Sequence, residues 1–200
     1  MRKEILIMTK SAKIKGFCVA GIDMSDGRWI RLVSNDKSGE GAVLRADLTY
    51  QNGTQAEVFD LIAVECEPSP TEAQSENYLY DSDYYWSKIG TMSHEEAFVQ
   101  CPISDSKYIF RNNRRSLNED EINGESLMLV EIDNISVKVV HEYDKKKWKA
   151  DFRCNGIHYS DINVGDISIR NEYNDYGTYS ISGKNPPEPF EDPLLLAITE

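Results

Sequence analysis

The residues with the most chemistry to offer lie near the start of the chain. Lys10, Ser11 and Lys13 stand just before Phe17-Cys18, and Arg28-Trp29-Ile30-Arg31 follows an Asp26-Gly27 turn. Lysine and arginine neutralise phosphates. An exposed tryptophan stacks on a base, and arginine adds a planar cation beside it. The plainer use of the same residues is that Trp29 packs in a core while the arginines are solvated or salt-bridged. A second group sets Glu76 and Asn77 beside Tyr78, Tyr80, Tyr84, Tyr85 and Trp86, among the acids Glu72, Asp81 and Asp83. That acidity repels a phosphate backbone, so the segment fits a pocket wall, a protein contact or a surface loop pinned by its aromatics. Glu76 is the kind of group used in acid–base catalysis, yet spacing places no second catalytic group next to it. Two further basic patches, Arg111 with Arg114 and Arg115, and Lys145-Lys146-Lys147-Trp148-Lys149, fit either a nucleic-acid edge or solvated loops.

Other chemistries find no motif. The phosphate-cradling and nucleophile-elbow patterns G-x-x-x-x-G-K-[ST], G-x-G-x-x-G and G-x-S-x-G do not occur. His94, His141 and His158 lack metal-ligand spacing, and Cys18, Cys66, Cys101 and Cys154 form no C-x-x-C pair. No metal and no cofactor are expected, and the cysteines read as reduced thiols packed as small hydrophobes. The apolar run Ile5–Met8 is too short for a secretory signal, and no stretch approaches a membrane span. The expected location is the cytoplasm, with no membrane partner.

The net charge is −12, which argues against a polyanion as ligand. Its distribution is uneven. Residues 1–45 hold nine Lys/Arg against five acids, whereas residues 46–105 hold twelve acids and the single base Lys88. Screening over about 8 Å at physiological salt lets a local basic face act despite distant acids. Opposed charge also suits a protein partner, for which complementarity raises rate and specificity.

These residues must be positioned by strands. The spacing predicts a hairpin over residues 17–33 about Asp26-Gly27, with a further strand over Val58–Cys66. Residues 67–125 read as loops and short helices, one capped by Ser93 and another opening at Asn118 with Glu119–Glu121. Strands resume over Ser126–Ile132, Ser136–Tyr143 and Lys147–Cys154, the last two joined by a turn at 144–146. Asn155-Gly156 marks another hairpin. Thr178–Ser182 and Leu194–Thr199 close the pattern around a loop holding Pro186, Pro187, Pro189 and Pro193. The expectation is a mainly β chain of two small antiparallel barrels, roughly 1–100 and 101–200, about an irregular, short-helical middle. The other reading is one α+β domain with the middle packed on a single sheet.

At these residues the sequence resembles the bacterial dual OB-containing domain family. The resemblance rests on Lys10-Ser11-x-Lys13, on Gly16-Phe17-Cys18-Val19-Ala20-Gly21-Ile22-Asp23 and on Gly27-Arg28-Trp29-Ile30-Arg31-Leu32-Val33-Ser34. Leu32 stands where the family pattern commonly has proline. Glu76-Asn77 resembles a Glu-Asn pair that follows the first barrel, and 179–182 and 194–198 resemble the closing strands. The resemblance implies two OB folds, a place in bacterial conflict or defence systems, and nucleic acid as ligand. The resulting expectation is a non-catalytic binding module for single-stranded nucleic acid, using Lys10, Ser11, Lys13, Arg28, Trp29, Arg31, Glu76 and Asn77. The alternatives are a protein-partner adaptor and a nucleotide-processing enzyme domain with a cleft at Glu76 and Asn77.

Overall fold

β1 (Arg2–Lys13) has twelve residues, about twice an ordinary strand. That length lets it hold two neighbours. Ile5–Lys13 pairs antiparallel with β2 (Gly16–Asp23), and Arg2–Leu6 pairs antiparallel with β4 (Asp60–Pro68). β2 returns as β3 (Trp29–Val33), with Ile22 opposite Trp29. β5 (Asn77–Tyr80) lies parallel to β3 and antiparallel to the end of β4. The order β1-β2-β3-β5-β4 therefore returns to β1 and closes a five-stranded barrel, the OB order that the resemblance implies. β6 (Ser87–Thr91) continues along β4 beyond β5.

The computed structural model describes residues 1–36, 39–71, 74–114, 116, 124, 126–182 and 195–199, with 181–182 and 195–199 described by backbone alone. The chain divides into two compact units, residues 1–102 with 123–125 and residues 103–122 with 126–200. Among the described residues no helix is long and apolar enough to cross a membrane.

The barrel core follows from strand alternation. Ile5 and Ile7, Ile30 and Leu32, and Ile62, Val64 and Cys66 point inward and meet Val19, Leu48, Tyr80 and Trp86. Gly21 sits where β2 crosses β1 closely: a Cβ there would lie 2.0 Å from the Leu6 carbonyl oxygen. One buried carboxylate organises the start of β4. Asp60 is 2 % exposed and accepts from Tyr50 Oη (2.9 Å), Thr91 Oγ1 (3.0 Å) and the Glu57 N–H (3.2 Å), with Lys88 Nζ at 2.5 Å. It thus ties β6 and the 50–57 loop to β4.

The second unit is a meander. β8 (Asn134–Glu142), β9 (Lys145–Cys154) and β10 (Ile157–Asn163) are joined by two-residue turns at Tyr143-Asp144 and Asn155-Gly156. All four turn residues have positive φ, as hairpin turns of this length require. β11 (Gly177–Ser182) adds to the far side of β8, giving the order β10-β9-β8-β11. β7 (Leu127–Glu131) pairs separately with β12 (Leu195–Thr199). Val137, Val139, Ala150 and Phe152 form the centre of this unit's core, with Phe152 stacked on Tyr159.

Several expectations need correction. The middle is not strand-free, because β5 and β6 both fall in it. Lys10 and Lys13 precede the β2–β3 hairpin as read, but they lie within a strand of their own, β1. The β8–β9 turn is Tyr143-Asp144 rather than 144–146, and β4 begins at Asp60 rather than Val58. The Ser93 cap holds: α1 (His94–Gln100) opens with a full capping box between Ser93 and Glu96. A second short helix, α2 (Ile167–Glu172), is capped by Asp166. Glu72, Arg115, Asn118–Glu121 and the prolines of the closing loop lie outside the described residues.

Two outcomes follow from this packing. Gly21→Ala forces the Leu6 backbone to move and should cost about 2 kcal/mol or more, read as a lower urea midpoint with unchanged slope. Burial alone pushes the Asp60 carboxyl up, but its bonds from Lys88, Glu57, Tyr50 and Thr91 outweigh that and hold it below its ordinary value. A group depressed in the folded state stabilises fully above its unfolded pKa of about 4 and loses that contribution as pH falls through the folded value. Asp60→Asn should therefore flatten the fall in unfolding free energy below about pH 4, measured by urea titration across pH.

Candidate functional site

The residues marked out by type and spacing separate into three places in the first unit. The first is the β3–β5 seam. Arg31 pairs in register with Asn77, and its N–H donates to the Glu76 carbonyl at 2.8 Å. The side chains converge as well: Arg31 Nη1 lies 3.6 Å from Glu76 Oε1 and donates to Asn77 Oδ1 at 3.5 Å. Asn77 Nδ2 in turn donates to Gln74 Oε1 at 2.9 Å. Arg31, Glu76 and Asn77 are 4 %, 8 % and 6 % exposed. A guanidinium and a carboxylate buried this far compensate one another across the seam. The cluster therefore acts as a clasp across the parallel seam, with its charges turned to each other.

The second place is the β1–β2 turn. Lys10 is buried on β1; its ammonium donates to the Ala56 carbonyl at 2.9 Å and to the Glu57 carboxylate, which ties the 50–57 loop down. Ser11 is half-buried opposite Cys18. Lys13 is exposed and donates to the Glu40 carbonyl at 2.6 Å. Lys15 is exposed at the turn itself. Beyond it, half-buried Phe17 carries the exposed Arg45 guanidinium over its ring at 5.3 Å. Two backbone bonds between Phe17 and Val43, at 2.9 and 2.8 Å, fix this edge, and Arg45 also donates to Gln55 at 3.2 Å. Sequence reasoning missed Arg45, which only the Phe17–Val43 bridge brings to the turn.

The third place is the β2–β3 turn, where Arg28 is exposed and Trp29 half-buried. Gly16 and Asp23 bound β2, so this turn and the β1–β2 turn lie at opposite ends of one strand, roughly 23 Å apart at about 3.3 Å per residue. The five cationic and aromatic residues of the two motifs are thus not one surface.

In the second unit, Trp148 is half-buried between Lys146 Nζ at 5.6 Å and the Arg170 guanidinium at 5.3 Å, and its Nε1 donates to the Tyr173 carbonyl at 2.7 Å. One lysine of the turn, Lys146, thus lies against the motif's own tryptophan, and α2 supplies the second cation. The four cysteines are free thiols. Among the described residues no group of His, Cys, Asp or Glu is placed to hold a metal ion.

A family model described as a dual OB-containing domain matches residues 3–185. No curated protein and no solved structure was found to match the chain.

The clasp yields a stability test. Arg31→Met removes the guanidinium that faces the buried Glu76 carboxylate and should cost about 3 kcal/mol or more. Glu76→Leu should cost a comparable amount. The double substitution should cost less than the sum of the two, because the charges that face each other are removed together, and a double-mutant cycle in urea measures this.

Proposed function

The chain belongs to the dual OB-containing domain family, and on that premise we propose that it is a non-catalytic binding module for single-stranded nucleic acid, in the bacterial conflict or defence setting that the resemblance implies. The observation that carries this reading is the β1–β2 edge of the first barrel, where exposed Arg45 lies over Phe17 and exposed Lys13 and Lys15 stand at the adjoining turn. Cations beside an aromatic face are what an unpaired strand needs: charge for its phosphates and a ring plane for a base. The edge is pre-set by the Phe17–Val43 bridge, so little ordering opposes binding. Lys10 and Ser11 support the edge from within β1, and Arg28 with Trp29 forms a separate contact at the far end of β2.

Burial of Glu76 and Asn77 against Arg31 supports a binding role over a nucleotide-processing one, since a general acid or base must reach its substrate. The second unit is read as a second OB-like barrel. Its β8 takes β9 on one side and β11 on the other, as β1 takes β2 and β4. A second reading, a protein-partner adaptor, draws on a different observation. Tyr84 and Tyr85 are 61 % and 66 % exposed beside Asp81 and Asp83, an aromatic, acidic loop suited to a basic protein surface.

Anisotropy titration with labelled DNA and RNA strands of about a dozen nucleotides, at about 50 and about 200 mM salt, tests the first reading. Binding should weaken roughly tenfold or more over that range and be lost when Lys13, Lys15 and Arg45 are changed to Glu. No binding at the lower salt, or no effect of the reversal, would overturn it. Host proteins retained by the chain and released by Tyr84→Ser with Tyr85→Ser would favour the adaptor instead.

A further inference from the structure

The second unit contains a polar cavity of about 520 Å³, in the range of small-ligand sites. The described residues that line it are Ser116, Glu142, Tyr143, Lys149, Asp161 and Asn163. These come from the end of β8, the middle of β9 and the end of β10, with Asn163 directly opposite Lys149 in the strand register. None of them belongs to the β1–β2 edge or to the clasp.

Lys149 is the unusual member. It is 7 % exposed, yet its ammonium stands 3.7 Å from the Glu142 carboxylate and 3.8 Å from that of Asp161. Both distances exceed a hydrogen bond. The charge is compensated, but none of its three N–H donors is taken by a hydrogen bond to a described residue. Buried ammonium groups ordinarily satisfy their donors. The opening between Nζ and the Glu142 oxygen has a definite size. A single oxygen placed at about 2.8 Å from each closes a triangle on that 3.7 Å base, accepting from the lysine and donating to the carboxylate.

A ligand hydroxyl does both at one point, in the place a bridging water would otherwise take. Among the described residues the Glu142 and Asp161 carboxylates flank the Lys149 ammonium, and an anionic group approaching that ammonium meets both of them. An amine would meet the lysine. Asn163, beside Lys149, adds one donor and one acceptor for a neighbouring hydroxyl. Tyr143, 91 % exposed at the rim, offers a ring face for the C–H face of a sugar. The backbone is shaped to this end. A register shift falls between Tyr159 and Ile162, and Asp161 within it has φ +60. Its N–H is fixed by Asp151 Oδ1 at 2.8 Å. Bulges of this kind re-aim side chains at functional edges.

We propose that this cavity binds the vicinal diol of a neutral sugar, with Lys149 donating to and Glu142 accepting from the same hydroxyl. A pyranoside and a ribonucleoside both present that group. Calorimetric titration of the full chain decides between them, using methyl pyranosides of glucose, galactose and mannose, adenosine, and 2′,3′-dideoxyadenosine as the probe without the diol. At least one diol probe should bind, dideoxyadenosine should bind tenfold or more weakly, and Lys149→Met and Glu142→Gln should each weaken binding tenfold or more. The melting temperature of each variant shows that it remains folded. Lys13→Glu with Lys15→Glu should leave diol binding unchanged, which separates this site from the strand-binding edge. Absence of binding by every diol probe, equal binding of dideoxyadenosine, or undiminished binding by folded Lys149→Met would overturn the assignment.

Discussion

A single strand with two partners is the constraint on which the first unit depends. A five-stranded barrel closes only if its first strand bonds to the second along one edge and to the fourth along the other, and β1 does so with Ile5 and Leu6 engaged on both sides. A strand paired on both edges and covered on both faces cannot alternate in polarity, so Ile5 to Met8 is a continuous apolar run. The strand must also bend to follow the barrel wall. The register shift between Ile7 and Thr9 supplies that bend, and glycine at position 21 lets the neighbouring backbone come close enough.

Closure brings a second requirement. The β3–β5 contact is parallel and three residue pairs long, as short as the antiparallel β4–β5 contact beside it. Arg31, Glu76 and Asn77 reinforce it with side chains where backbone pairing is short. A buried ion pair contributes little net stability compared with apolar packing, but it rejects registers in which the charges miss each other. A one-residue slip would also turn the side chains of β5 to the other face. The clasp therefore specifies the seam more than it strengthens it. Lys10 plays the same part for the 50–57 loop, through Ala56 and Glu57.

What the amino-acid order discloses depends on whether the deciding contact is local. The β2–β3 hairpin, the Asn155-Gly156 turn and the Ser93 cap are legible because turn chemistry and capping act within a few residues. β5 escapes such reading because four residues, Asn77–Tyr80, carry no period of their own and become a strand by lying between β4 and β3, the latter forty-six positions earlier at Arg31–Asn77. β6 is exposed along most of its length and held by Asp60, which gives no apolar pattern to read. The basic motif was legible as residues but not as a surface. Spacing cannot show that Glu57 takes Lys10, that Glu76 takes Arg31, or that Arg45 arrives beside Phe17.

The distribution of thiols over this architecture gives the barrel an optical handle. Cys66, Cys101 and Cys154 are sealed in the packing, and burial pushes their thiols up, to about 11 for Cys66 and about 12 for Cys101. At neutral pH almost none of their sulfur is thiolate, the form that attacks maleimides and iodoacetamides. Cys18 alone is half-buried, and it follows Phe17 in β2, opposite Ser11. An environment-sensitive dye on the unaltered chain would therefore attach at one position, within a residue of the barrel's aromatic edge. This chain of 200 residues carries its own reporter attachment point at Cys18.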